Sequence, residues 1–562
     1  MSIDKNDYEE RADYIEDDLL SKWNVSNTSL DSIQSKLLEK GAKVLEGPRG
    51  TGKTHQMKMA YKKSMEDKKK PFAIYVSFSK YYHLEPLLSS NPSAIKIFHT
   101  WMLSKIILGC LTSNEKLGLS MLNFYDEITK DELQKFIAQS EKNVTEPWHE
   151  KMLNTITIFN VTDFINESMK LANRKRAILL LDDAALTLTK EYMIEFFDVF
   201  RSLKTINISP KASVYPGTTE YGPRFHLKQD VDSINMWFNP FEEEYNDFIE
   251  EFFQKRFHNI SIDENVKSLI KYASFGNPRA FVTILRDYLK NDQMNVQGKF
   301  NKIIDERSKL LKDEYNSIKQ KLPQYSSILD IGVLFFDEVV DEIVNQNKKI
   351  LDDNTEETKQ VIFGIGYVTD KSTERMIQFL IEAGFLYELT PVKHGQDREY
   401  QRYIPHLLFL LQKKAFSKSR GFNIKEIIIY LERPNKKHPI RKESIQSILG
   451  EEILDKLKLD LPACFNCGAQ RLSENQKFCH NCGSELVSKS TFEECMELTI
   501  EELPITSWQK QKILTETSLR TIKDFLAISN ISEELTKPSG FGIKKAEKIL
   551  DTVNILIEEF LA

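Results

Sequence analysis

The stretch Gly47-Pro48-Arg49-Gly50-Thr51-Gly52-Lys53-Thr54 constrains this chain more than any other. It reads G-x-x-x-x-G-K-T, the Walker A spacing that lets backbone N–H groups cradle a phosphate. Gly47 and Gly52 permit the tight turn and the close backbone approach. Lys53 is spaced to reach the β- and γ-phosphates, and the Thr54 hydroxyl to join a Mg²⁺ shell. Residues 42–46 form a short strand candidate before the loop, and residues 55–65 a helix after it. That helix would aim its positive N-terminal end at the nucleotide. A chance Gly-rich turn would have no need of this strand–loop–helix setting. The implied ligands are ATP and Mg²⁺.

At 562 residues the chain has room for roughly three to five domains. Hydrophobic residues make up 41%, enough for several buried cores and too many for a disordered chain. The net charge of −6 requires any nucleic-acid surface to be local. Residues 1–40 read as charged and helical, leading into the ATPase core and lying against it. Their acidic start (Asp4, Asp7, Glu9, Glu10) lacks the apolar stretch of a secretory signal. No apolar run is expected to span a bilayer, so a membrane is not among the expected partners. Four of the six cysteines fall between 464 and 482, which points to metal in a reducing compartment, and hence to the cytoplasm.

A series of strands follows the loop. Phe72-Ala73-Ile74-Tyr75-Val76-Ser77 is apolar and β-branched behind Pro71. A long helical region is expected over 93–175, with an amphipathic stripe of Ile97, Trp101, Leu103, Ile106 and Ile107. Ala177-Ile178-Leu179-Leu180-Leu181-Asp182-Asp183 reads as a strand buried on both faces with two carboxylates at its C-terminal end. This is a Walker B pattern: Asp182 to hold Mg²⁺ and Asp183 to orient the attacking water. The alternative for the pair is an acidic cap on Ala184-Ala185-Leu186. Two more strands, 212–215 and 234–238, complete a doubly wound α/β core. Thr218 or Thr219, after the fourth strand, is the candidate γ-phosphate sensor. Arg224 is either an arginine finger toward a neighbouring copy or a plain surface arginine. Residues 241–290 are helical, and Asn277-Pro278 signals a helix start with Arg279 in its first turn.

The order GPRGTGKT, ILLLDD, SVYPGTT, FGNPRAF resembles the AAA+ ATPases of the origin-recognition and initiator type, and the related STAND signalling ATPases. The resemblance covers roughly residues 20–290. It implies that Arg279 is sensor 2, that Pro278 packs near the adenine, and that 241–290 is a helical lid. It also implies assembly into a homo-oligomer as one possible state. The chain departs from the pattern in carrying Asp183 where such enzymes usually carry glutamate, and in its long helical insert before Walker B; both bear on turnover rate.

Beyond residue 300 the character changes. A charged linker helix over 301–321 leads to a helix-then-hairpin order. Ser372-Thr373-Glu374 is read as the cap of a helix through Ile381 that Gly384 stops, followed by strands 386–390 and 399–404 around a polar turn. This is the layout of a winged helix, which reads DNA or contacts protein. Residues 413–447 are basic, either a solvated face or a phosphate-contact surface. Cys464-x-x-Cys467 and Cys479-x-x-Cys482, each followed by glycine, form a closed Cys₄ site for structural Zn²⁺. They resemble the compact zinc ribbons of prokaryotic proteins. Cys110 and Cys495 are read as ordinary buried thiols and His480 as a bystander. Leu519 to Leu526 and Gly540-Phe541-Gly542-Ile543-Lys544-Lys545 resemble a helix-hairpin-helix, laid out like the C-terminal domain of the bacterial RNA polymerase α subunit. The hairpin would offer N–H groups to a DNA phosphate, or dock a protein.

The expected fold class is therefore an α/β P-loop ATPase core with helical lid, then a winged helix, a small zinc ribbon and an α-helical helix-hairpin-helix domain. The expected bounds are 1–240 for the core, 241–300 for the lid, 301–460 for the linker and winged-helix region, 461–487 for the ribbon and 488–562 for the tail. The expected partners are ATP, DNA and a protein.

Overall fold

The computed structural model describes residues 9–561 apart from 10–11, 13, 79–83, 85–86, 89–90, 120–123, 126–127, 143, 184–188, 228, 291–293, 354–357, 367–369, 394, 396–397, 418–422, 436–439, 443, 465, 473–475, 477, 485, 487–494 and 529–530. The alternative cap at Ala184-Ala185-Leu186, the turn residues His394, Gln396 and Asp397, and the basic residues Lys418, Arg420, Lys436 and Lys437 lie outside the described residues.

Five parallel strands form the first sheet: β1 Lys43–Glu46, β2 Phe72–Ser77, β3 Ala177–Asp182, β4 Ile208–Val214 and β5 Asp232–Asn235. Their order is β2-β3-β4-β1-β5, so the strand preceding the P-loop is flanked by β4 and β5. β4 begins earlier than expected, because it carries Pro210 in register with Leu179 of β3. A proline argues against a central strand from sequence alone, since it cannot donate to the ladder. β5 likewise starts and ends earlier than the 234–238 expected, and Met236 continues past it with its N–H on Glu46 O at 2.8 Å.

Side-chain alternation feeds two cores, one on each face of the sheet. Leu45, Ala73, Ile178 and Leu180 pack toward the P-loop helix and the lid. Val44, Ile74, Leu179 and Leu181 pack toward the helices inserted between β2 and β3. Among the described residues that insert holds the helices Ala94–Lys116, Lys130–Ser140, His149–Thr155 and Ile158–Leu171. Ala94–Lys116 is not amphipathic: Phe98, Met102, Cys110 and Leu111 are buried together with the expected stripe. A helix apolar all round is a core helix or a membrane span. By length and composition this one is long enough to cross a membrane, contrary to expectation, and most of its apolar window is packed inside the protein.

The N-terminal helices Asp17–Lys22 and Thr28–Leu38 lie against the core, burying Leu20, Leu30 and Leu37. Three helices, Glu243–Arg256, Glu264–Ala273 and Pro278–Lys290, follow β5, the third starting at Pro278 as its signal implied. Two long helices, Val296–Lys321 and Ser326–Asp352, then lead to a four-stranded sheet ordered β7-β8-β6-β9. Its hairpin is β7 Leu386–Lys393 and β8 Glu399–Pro405. β7 runs through Pro391 because the register shifts between Leu389 and Val392, where no ladder N–H is required. β6 Phe363–Gly366 and β9 Ile440–Lys442 had no strand signal: one carries two glycines, the other has three residues. The preceding helix, Lys371–Glu382, is capped by Asp370 accepting from Thr373 N at 2.8 Å, not by Ser372. Gly384 ends it with φ +77°, as expected.

In the basic stretch, Lys413 pairs with Asp341 at 2.6 Å and Lys442 with Glu342 at 3.5 Å. Both lysines are paired with a carboxylate at the surface, which offsets their charge toward a phosphate backbone. The tail holds helices Ser507–Glu516, Ile522–Ala527, Ile531–Thr536 and Ile543–Leu561, with Gly540 at φ +88° before the last.

Candidate nucleotide-binding site

The loop between β1 and helix Lys53–Glu66 is held by its own side chains. Thr51 Oγ donates to Pro48 O at 3.0 Å. Lys53 Nζ donates to Gly47 O at 2.6 Å and Pro48 O at 3.0 Å, and sits 4.0 Å from the centre of the Tyr215 ring. Lys53 is 6% exposed. Burial pulls its pKa down to about 7, against the attraction of Asp182, Asp183 and Glu382. A lysine driven this far from its ordinary range is poised to gain from an anion placed beside it. Thr54 follows in the first turn, half-buried.

Gly50, at φ +85°, is where the lid meets the loop. A Cβ there would lie 2.6 Å from Asn277 Oδ1 and 2.8 Å from Arg279 Cβ. Asn277 both caps the lid helix, accepting from Arg279 N at 3.0 Å, and donates from Nδ2 to Arg49 O at 2.7 Å. Arg279 N donates to Gly50 O at 3.4 Å. The structure thus brings Asn277 and the backbone of Arg279 onto the P-loop, with Pro278 between them in sequence.

At the C-terminal end of β3, Asp182 is 1% exposed and fully oriented. Tyr75 O–H donates to its Oδ2 at 2.9 Å, and Ser213 Oγ and Asp183 N donate to its Oδ1 at 2.9 and 3.0 Å. These bonds fix the orientation of the carboxylate, an oxygen ligand of the kind that Mg²⁺ takes. Asp183 takes a left-handed backbone, φ +52°, that few residues other than glycine, asparagine and aspartate tolerate. Asp183→Asn therefore keeps the turn while removing the charge. It is expected to leave ATP affinity within about twofold and to slow single-turnover hydrolysis by roughly 10²-fold or more, the range for losing a general base. Rapid-quench measurement on enzyme in excess checks this; an unchanged rate assigns the water elsewhere.

After β4, Thr219 Oγ accepts from Tyr215 N at 3.1 Å and serves the turn. Thr218 Oγ donates to Glu382 Oε1 at 2.9 Å. Arg224 stands apart from the loop, exposed, with Asp198 at 3.5 Å. Tyr75, Ser213, Tyr215, Asn277 and Glu382 were not foreseen. Tyr75 and Ser213 were findable as polar residues at the C-terminal ends of buried strands; Glu382 carries no local signal.

A second centre lies far along the chain. Cys464 Sγ is 3.5 Å from Cys482 Sγ, and Cys467 Sγ is 3.5 Å from Cys479 Sγ. All four sulfurs fall within 4.8 Å of one another. That is too long for a disulfide and close to the ~3.8 Å edge of a tetrahedron with ~2.3 Å Zn–S bonds. Each knuckle closes alike, Gly468 N on Cys464 O and Gly483 N on Cys479 O, both glycines at φ +72°. Cys110 and Cys495 are buried thiols outside any disulfide, as expected.

No protein-family model and no curated protein matches the chain. Among solved structures it is similar to a Walker-type ATPase of Pyrococcus abyssi, at 14% identity and TM-score 0.37, over 70% of this chain and 99% of that one. It is similar to AMPPCP-bound DnaA from Aquifex aeolicus, at 14% identity and TM-score 0.25, over 56% and 80%. A DNA replication initiation factor gives 12% identity and TM-score 0.24, over 74% and 95%. In the chain's own geometry, a Walker A loop follows β1, a buried carboxylate ends β3, and the start of helix Pro278–Lys290 rests on the loop: the N-terminal part of this protein is a parallel α/β sheet core carrying a P-loop sequence at the end of its β1 strand.

Proposed function

We propose that the chain is an ATP-binding and ATP-hydrolysing switch that requires Mg²⁺ and acts on DNA, or on a DNA-bound partner, through its C-terminal modules. The observation that carries it is the Walker A loop itself, with Lys53 buried in the field of Asp182 and Asp183 and the backbone N–H of Arg279 on Gly50 O. When bound, ATP with Mg²⁺ supplies the transferable phosphoryl group and neutralises its developing charge. Gly47 to Thr54 cradle the phosphates, and Thr54 and Asp182 hold the cation. Asp183 orients the attacking water. Arg279 stabilises charge from the lid, with Pro278 toward the base, and Arg224 reaches a neighbouring copy if the protein assembles. The helix with β6–β9 serves as a winged helix, the four cysteines hold one structural Zn²⁺, and the tail is a helix-hairpin-helix.

The DNA role rests on the tail hairpin, where Lys544 is exposed beside Gly540 and Gly542. Lys545 is folded back instead, its Nζ on Gly540 O at 2.9 Å and over the Trp508 ring at 4.8 Å. Lys544→Glu and Lys545→Glu together are expected to weaken binding to all duplexes equally. They should flatten the dependence of log affinity on log salt by roughly one unit per lost phosphate contact. DNA affinity unchanged in the double variant removes DNA from the tail's role.

A second reading, a signalling scaffold whose C-terminal modules bind protein, is favoured by one observation. Leu472 and Phe478 on the cysteine module are 74% and 60% exposed, apolar surface that suits a protein contact better than a phosphate backbone. In that case charge reversal spares DNA affinity and abolishes capture of the protein partner.

A further inference from the structure

The loop after β4 is clamped from outside the ATPase core. Glu382, the last residue of helix Lys371–Glu382, accepts the N–H groups of Gly217 and Thr218 at 2.7 Å each on Oε2. Its Oε1 accepts the Thr218 hydroxyl at 2.9 Å. Two consecutive backbone N–H groups and a hydroxyl converging on one carboxylate form an anion-binding concavity. On the same helix, Arg375 donates to Gly217 O at 2.6 Å and pairs with Glu220 at 2.6 Å. Phe379 leaves no room at Gly217: a Cβ there would lie 2.8 Å from its ring. The loop so held is the one whose threonine the sequence assigns to γ-phosphate sensing, and Lys53 and Glu382 attract one another across it.

We propose that Glu382 is a positioning residue for this sensor loop, its carboxylate occupying the donors of Gly217 and Thr218 in competition with the γ-phosphate of ATP. The proposal rests on the P-loop ATPase reading above. A γ-phosphate brought to Lys53 places a second anion beside Glu382, and like charges in a poorly solvated site repel strongly. ADP brings no such group. ATP therefore loosens the contact between the helix and the sensor loop, and ADP leaves it closed. By linkage, the contact weakens ATP binding by the factor by which ATP weakens the contact. This couples the state of the nucleotide to the seating of the β6–β9 module on the core.

The test uses the full-length protein with a non-hydrolysable ATP analogue and with ADP, each with Mg²⁺. In the wild type, amide hydrogen exchange at Gly217 and Thr218 is expected to accelerate with the analogue and not with ADP. Glu382→Gln keeps the shape and removes the charge. It is expected to raise the ratio of analogue affinity to ADP affinity by roughly tenfold, while ADP affinity stays within about twofold. A purely structural role for Glu382 moves both affinities together and leaves the ratio alone. If either the exchange difference or the ratio change is missing while ADP still binds, the proposal is overturned and the ATPase reading stands. If the wild type binds neither nucleotide, the ATPase reading itself has failed. Because the exchange measurement is made on the wild type, the proposal stays testable even if Glu382→Gln folds poorly.

Discussion

Lys53→Ala is expected to weaken ATP binding by roughly 10²-fold or more, the loss of a charge-assisted contact to two phosphate groups. Lys53 is held between Gly47 O, Pro48 O and the face of Tyr215, all uncharged. Asp182, Asp183 and Glu382 attract the ammonium without a direct contact, and burial outweighs them and holds the pKa down to about 7. The phosphate-free arrangement therefore favours an incoming anion. Lys53→Met fills the same space without the charge, so it should lose affinity equally while keeping the loop packed. Isothermal titration with ATP, beside thermal melting of each variant, separates lost binding from lost folding. Unchanged affinity in both variants would mean the P-loop does not bind nucleotide in this chain.

The second large effect concerns the cysteine module. The protein prepared without chelators is expected to hold one Zn²⁺ per chain by elemental analysis, and Cys479→Ser to lose it. The module has few other means of support: its exposed apolar residues and short turns bury little, so a structural metal would supply most of its folding free energy. Amide exchange should rise over 461–486 in Cys479→Ser or after chelation. The change should stop near Asp460, which is anchored to the main body by Ser327 Oγ at 2.8 Å and by its own N–H on Gln324 O at 2.8 Å. ATP binding should be unaffected. Protein free of zinc with an unaltered exchange profile would show that the four thiols pack without metal.

What could be read from the sequence was local chemistry. The P-loop, β1, β2 and β3 are each specified by residues within a few positions of one another, and the structure places them where those residues imply. The cysteine spacing likewise brings four sulfurs together because each C-x-x-C-G turn closes on itself. The failures came where tertiary context outweighed local preference. Pro210 sits in a strand that becomes central only from the next residue: it faces Leu179 of β3, and β1 begins to pair at Lys211. Gly364 and Gly366 join a sheet because β8 and β9 supply their partners. Ala94–Lys116 is buried on most sides because β2 and helices Lys130–Ser140, His149–Thr155, Ile158–Leu171 and Lys190–Ser202 pack against it, a setting its own pattern does not contain. Lys413 and Lys442 read as surface charge until Asp341 and Glu342 arrive from another helix. Glu382 is the extreme case. It lies 164 residues from the Thr218 hydroxyl it accepts, and a glutamate at the end of a helix has no sequence mark that distinguishes it from a solvated one. The sequence by itself determined that a phosphate-binding loop and a four-thiol site exist in this protein. Only the packing of a distant helix onto the loop after β4 decided which carboxylate takes the N–H groups of Gly217 and Thr218, because that contact is made by burial and shape across the fold.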